Sequence, residues 1–198
     1  MNPATHMKYI TVFCGSSEGG INSYMQQAYA TGKAIAARGY GLVYGGAHVG
    51  LMGAVADGAL DGGTEAIGII PTFLNKKELA HPRLTETHVV STMHERKTMM
   101  FERCDAIIAL PGGFGTMEEL FEVLTWAQLN LHQKPIGLLN INGYYDALIT
   151  FIDQMAENKF LKPEYKHMLL VDSDIEKLLG KMEHYVPQVN DKWFETAK

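Results

Sequence analysis

Pro111-Gly112-Gly113-Phe114-Gly115-Thr116-Met117-Glu118-Glu119 is where residue type and spacing most plainly suit chemistry. Glycines permit close backbone approach. With the N–H groups of a helix start behind them, they form an anion-binding concavity, to which the Thr116 hydroxyl adds a donor. No Lys-Ser/Thr pair follows Gly115-Thr116 as in a P-loop, and Glu118 occupies the third glycine position of a dinucleotide fingerprint. A mononucleotide or sugar phosphate therefore fits better than ATP or NAD. The alternative is a tight strand-to-helix turn in which Thr116 is an N-cap and Glu119 its capping-box partner. Capping uses one carboxylate, however, whereas Glu118 and Glu119 are consecutive, and it needs no such density of glycine. With a helix expected over Met117–Leu129, both carboxylates fall in its first turn. There the helix dipole keeps them ionised, fit to stabilise positive charge or activate water and poorly fit to donate a proton.

A second constellation is Met93-His94-Glu95-Arg96-Lys97, at the start of another expected helix. Adjacent cations there oppose the macrodipole, which points either to a ligand anion or facing carboxylate or to a solvated basic patch. Gly45, Gly46 and Gly50 form either a second nucleotide-facing loop or a tightly packed strand–helix turn. Ser16 and Ser17 are either phosphate donors or helix-entry caps. The histidines have no metal-ligand spacing, so neither a metal nor a cofactor is expected.

Short apolar runs, most of them ending in a glycine-bearing loop or at a proline, position these loops. They are Tyr9–Phe13, Leu42–Tyr44, Ala66–Ile70, Ala106–Leu110 and Pro135–Leu139, with shorter strands at Thr87–Val90 and Met168–Val171. Helical patterns run from Met25 to Ala36, from Leu51, and over His94–Arg103, Tyr144–Glu157 and Asp174–His184, with a short helix around Asn75–Leu79. Apolar runs without alternation are buried on both faces, and their alternation with helices demands a parallel sheet. The expectation is a single Rossmann-like, doubly wound, three-layer α/β/α domain over 8–185, with a leader 1–7 and a tail 186–198 outside its core. Ligands of such sheets bind beyond the carboxyl ends of the strands, where the loops Cys14–Ser17, Gly45–Gly50 and Pro111–Thr116 all fall.

The chain has 198 residues, 46% of them hydrophobic and 20% charged, and a net charge of −5. That composition excludes disorder and gives no general attraction to nucleic acid polymers or anionic membranes. Its cysteines, Cys14 and Cys104, form no CxxC, which suggests a reducing compartment. The N-terminus has no secretory pattern and no apolar run approaches a membrane span, so a cytoplasmic protein is expected.

At these residues the chain resembles the LOG (LONELY GUY) family, cytokinin riboside 5′-monophosphate phosphoribohydrolases, long mislabelled "lysine decarboxylase". The family's PGGxGTxxE is met by Pro111–Glu119 and its MHxRK by Met93–Lys97. The opening CGSS, the GGxxxGLMG stretch, Glu119–Gln128 and Lys134–Asn140 are similar too. The resemblance implies a Rossmann-like fold, usually a homodimer, and hydrolysis of the N-glycosidic bond of a nucleoside 5′-monophosphate. It implies Arg96 and Glu119 as the catalytic pair. As substrate contacts it implies Lys97 and Gly113, Phe114, Gly115, Thr116, Met117 and Glu118, with Glu78 and Thr125 lining the site; Gly112, Gly46 and Ser16 join them from the loop reading. In the mechanism these residues permit, amides of Gly112–Thr116 hold the 5′-phosphate, Lys97 or Arg96 neutralises charge, and Glu119 takes a proton from water. No general acid is evident.

Two rivals stand beside this. A pyridoxal phosphate decarboxylase needs a Schiff-base lysine and an acidic partner, and Lys97, the one lysine in the motifs, lies beside Arg96. A binding protein similar to the molybdenum-cofactor carriers would hold its ligand without turnover; the presence of both Arg96 and Glu119 argues for catalysis.

Overall fold

The computed structural model describes residues 7–75 and 79–187. Seven strands form one parallel sheet: β1 (Tyr9–Phe13), β2 (Gly41–Tyr44), β3 (Ala66–Pro71), β4 (Glu86–Val90), β5 (Ala106–Ala109), β6 (Ile136–Leu139) and β7 (Leu169–Asp172). Their spatial order is β4-β3-β2-β1-β5-β6-β7. The helices are α1 (Asn22–Ala37), α2 (Gly50–Asp61), α3 (Thr72–Asn75), α4 (Met93–Glu102), α5 (Phe114–Gln128), α6 (Asp146–Glu157) and α7 (Ile175–Glu183).

The unbroken apolar strands are buried on both faces, as their composition demands. Residues of β1 alternate between two cores. Ile10 and Val12 join Ile35, Val55 and Leu178 under α1, α2 and α7. Phe13 joins Met100, Leu120 and Val123 under α4 and α5. The three-layer, doubly wound expectation is met. Met7, assigned to a leader by its position, is instead a core residue, 3% exposed. Among the described residues no helix is long and apolar enough to cross a membrane. Of the short helix expected around Asn75–Leu79, residues 76–78, Glu78 among them, lie outside the described residues; α3 ends at Asn75, where that helix was expected to begin, and is four residues long.

Strand order reverses at β1, which pairs with β2 on one side and β5 on the other. Phe13 is in register with Ala109, so the loops leaving β1 and β5 emerge side by side. A crevice at such a switch point is where doubly wound sheets bind ligands.

Candidate active site

The loop after β5 closes onto the loop after β1 through a bond from the Gly15 N–H to the Pro111 carbonyl, 3.0 Å. Gly112 sits between them, where a Cβ would lie 2.1 Å from the Thr116 Oγ1 and 2.8 Å from the Gly15 nitrogen. Helix α5 begins at Phe114 behind Gly113, with no side-chain cap and no acidic residue in its first turn. Its first N–H groups thus lack intrahelical acceptors and carry the positive end of the dipole. This start, three residues earlier than expected, removes the capping alternative. Thr116 is inside the helix rather than its N-cap, and its buried side chain packs on Gly112.

Glu119 accordingly falls in the second turn, and only 8% of it is exposed. Burial outweighs the attraction of Arg96 and raises its carboxyl from 4.5 to about 7. The expectation of a carboxylate kept ionised by the helix dipole is overturned: at neutral pH Glu119 is poised to take or give a proton. Glu118 points outward, 56% of its side chain exposed.

Arg96 reaches this carboxyl from α4. The helix starts with a complete capping box, in which Thr92 Oγ1 accepts from the Glu95 N–H at 3.1 Å while Glu95 Oε2 accepts from the Thr92 N–H. The cap absorbs Glu95 and leaves the next two cations to face their neighbours. Arg96 Nε donates to the Ile69 carbonyl at 3.1 Å and Nη1 donates to Glu119 Oε1 at 3.3 Å. Both side chains are about nine-tenths buried, where breaking one partner away is costly. Gly45 makes the seat: a Cβ there would lie 1.9 Å from Arg96 Nη2. Lys97 faces α5 instead, paired with Glu118 and, at 3.1 Å, with Glu122. Of the alternatives open for these cations, facing carboxylates are what the structure holds.

A cleft of about 400 Å³ opens over the pair. Of the expected site residues, Ser16, Arg96, Gly113, Phe114, Gly115, Thr116 and Glu119 line it. Gly46, Lys97, Gly112, Met117 and Glu118 do not line it. Neither Ser16 nor Ser17 caps α1, which begins at Asn22 behind Ile21, and α2 has no side-chain cap, although the Ser17 carbonyl accepts from the Leu51 N–H in its first turn at 3.4 Å. Thr125 lines a different, apolar cavity between α5 and α6. Sequence reasoning did not single out the wall formed by Met52, Ile70, Leu74 and Leu79. Apolar residues in an α/β chain carry no mark that separates a cleft wall from the core. Cys14 lines the floor, and burial holds its thiol protonated. Among the described residues no group of His, Cys, Asp and Glu could hold a metal ion.

The family model described as "possible lysine decarboxylase" matches residues 52–182. A cytokinin riboside 5′-monophosphate phosphoribohydrolase of Arabidopsis thaliana is 44% identical over 188 residues, 95% of this chain and 88% of that protein. A protein of Oryza sativa subsp. japonica named as a probable enzyme of that kind is 47% identical over 183 residues, 92% of this chain and 87% of its own length. Among solved structures, the molybdenum cofactor binding protein of Rippkaea orientalis superposes with a TM-score of 0.69 at 24% identity, covering 89% of this chain and 96% of that one. The molybdenum cofactor carrier protein of Chlamydomonas reinhardtii gives 0.65 at 18%, with 89% and 96% coverage. At those identities the likeness is one of fold.

Proposed function

Because the chain belongs to the family of cytokinin riboside 5′-monophosphate phosphoribohydrolases, we propose that it hydrolyses the N-glycosidic bond of an N6-modified adenosine 5′-monophosphate. The products are the free base and ribose 5-phosphate. The observation that carries this reading is the buried Arg96–Glu119 pair at the end of a cleft whose mouth is a cap-free, acid-free helix start.

The 5′-phosphate docks on the amides of Gly113–Thr116, which places the ribose over Glu119. As the bond from C1′ to the base breaks, its electron pair leaves with the base nitrogen and positive charge grows on the sugar. The Glu119 carboxylate, fixed by Arg96 in a water-poor site, stabilises that charge more than the neutral ground state. Water adds to C1′ and passes its proton to Glu119. With a pKa of about 7, the resulting carboxylic acid releases the proton to the departing base, which supplies the general acid that sequence reasoning left open. No step needs a cofactor. The apolar wall of Met52, Ile70, Leu74 and Leu79 suits an apolar N6 substituent.

The active form in this reading is a cytoplasmic homodimer. Phe151 and Phe160, 53% and 88% exposed, stand at or beside the apolar cavity of about 370 Å³ that carries Thr125. A second copy packed there covers this surface and accounts for Thr125 lying away from the cleft of its own chain. The free thiols of Cys14 and Cys104 agree with a reducing compartment.

Incubation of the purified chain with N6-isopentenyl-AMP, and separately with AMP, tests the assignment. Equimolar free base and ribose 5-phosphate are expected, with the higher kcat/KM for the modified nucleotide. A nucleotide bound and returned intact would instead identify a carrier.

A further inference from the structure

Adjacent tyrosines stand behind the glycine loop. Tyr144 Oη donates to the Gly112 carbonyl at 2.6 Å, and Tyr145 Oη donates to the Leu110 carbonyl at 2.6 Å. With the Gly15 bond to the Pro111 carbonyl, three successive carbonyls of the loop are each held by a donor from elsewhere in the fold. A trans peptide is planar, so its C=O and the N–H that follows point in opposite directions. Holding the Gly112 carbonyl toward Tyr144 therefore turns the Gly113 N–H the other way. Gly113 lines the cleft and Tyr144 does not. The peptide joining these glycines has no Cβ on either side to restrain its rotation, so an outside bond is what selects its orientation. The Tyr144 ring is itself fixed, edge-on to Tyr145 at 4.8 Å and to Tyr24 at 5.9 Å.

We propose that Tyr144 is a positioning residue for phosphate binding: its hydroxyl locks the Gly112–Gly113 peptide with the Gly113 N–H facing the cleft. The proposal rests on the reading that this loop holds the 5′-phosphate. Tyr145 supplies an internal contrast. The peptide it holds leads into Pro111, which has no N–H, so that bond secures the exit of β5 and aims no donor.

The full chain and its Tyr144→Phe and Tyr145→Phe variants are compared for nucleotide hydrolysis, for inhibition by inorganic phosphate and for thermal melting. Tyr144→Phe is expected to weaken phosphate inhibition and raise the nucleotide KM by about fivefold, the worth of one net hydrogen bond, with kcat within about twofold. Tyr145→Phe, which leaves a buried carbonyl unpaired, is expected to lower Tm without weakening phosphate inhibition. Unchanged phosphate inhibition in Tyr144→Phe, or an equal loss in both variants, overturns the proposal. A wild-type chain that phosphate does not inhibit overturns the loop reading itself, and that result is visible before any variant is made.

Discussion

Replacing Glu119 by Gln keeps the shape of the side chain and an oxygen for Arg96 while removing its titration. The carboxyl's move from 4.5 to about 7 corresponds to about 3 kcal/mol acting against the ionised folded form. The sign follows from the folded state holding the proton more tightly than the unfolded chain. The associated stability is fully present below pH 4.5 and is lost as pH rises through about 7. Urea unfolding at about pH 5 and about pH 8 should therefore show the wild type losing about 2.5 kcal/mol more than Glu119→Gln between those conditions. In activity, the wild-type kcat/KM should climb with pH and level off above about 7, since Glu119 must start deprotonated. Glu119→Gln should be about 10²- to 10⁴-fold slower and lack that inflection. A folded variant within about tenfold of wild type, or one that retains the inflection, would refute the assignment of the proton to this residue.

Other substitutions read the neighbouring parts. Gly45→Ala places a methyl 1.9 Å from Arg96 Nη2; displacing the guanidinium should lower kcat by about 10-fold or more, and unchanged turnover would mean the seat is not needed. Gly112→Ala meets the Thr116 side chain and the Gly15 backbone nitrogen, so nucleotide KM should rise and stability fall by about 1–3 kcal/mol, measured by steady-state kinetics and denaturant titration. Lys97→Met removes a cation already paired with Glu118 and Glu122. It should change nucleotide KM by less than about threefold, whereas a shift beyond about tenfold would put Lys97 on the phosphate. For the proposed dimer, Phe160→Asp should yield a monomer in light scattering, and an unaltered mass would remove α6 and its neighbours from the interface.

The layered sheet was legible because runs such as Ala106–Leu110 are apolar without alternation, and most end in a glycine-bearing loop or at a proline. The loops at the switch point followed from that pattern, and Arg96 and Glu119 from their motifs. What the sequence did not disclose depends on tertiary contact. Helix α5 starts at Phe114 rather than Met117, because its first turn needs only permitted backbone and a place for Thr116 against Gly112, not strong helix formers. That shift of less than a turn, together with burial, converts Glu119 from a dipole-stabilised carboxylate into one titrating near neutrality. Lys97 follows Arg96 in the chain, but adjacent helical positions do not face the same way, so one enters the cleft and the other meets α5. Tyr144 and Tyr145 read as the start of a helix, and nothing local marks their hydroxyls as partners of carbonyls 32 and 35 residues away.

The proposed hydrolysis requires one ligand to span the amides at the start of α5 and the Glu119 carboxyl. A crystal structure of Glu119→Gln with an N6-modified adenosine 5′-monophosphate tests it most directly. The 5′-phosphate is expected on the N–H groups of Gly113–Thr116, and C1′ about 3–3.5 Å from the side chain of residue 119 or from a water that it holds. A phosphate seated away from those amides, or a ribose remote from residue 119, would contradict it.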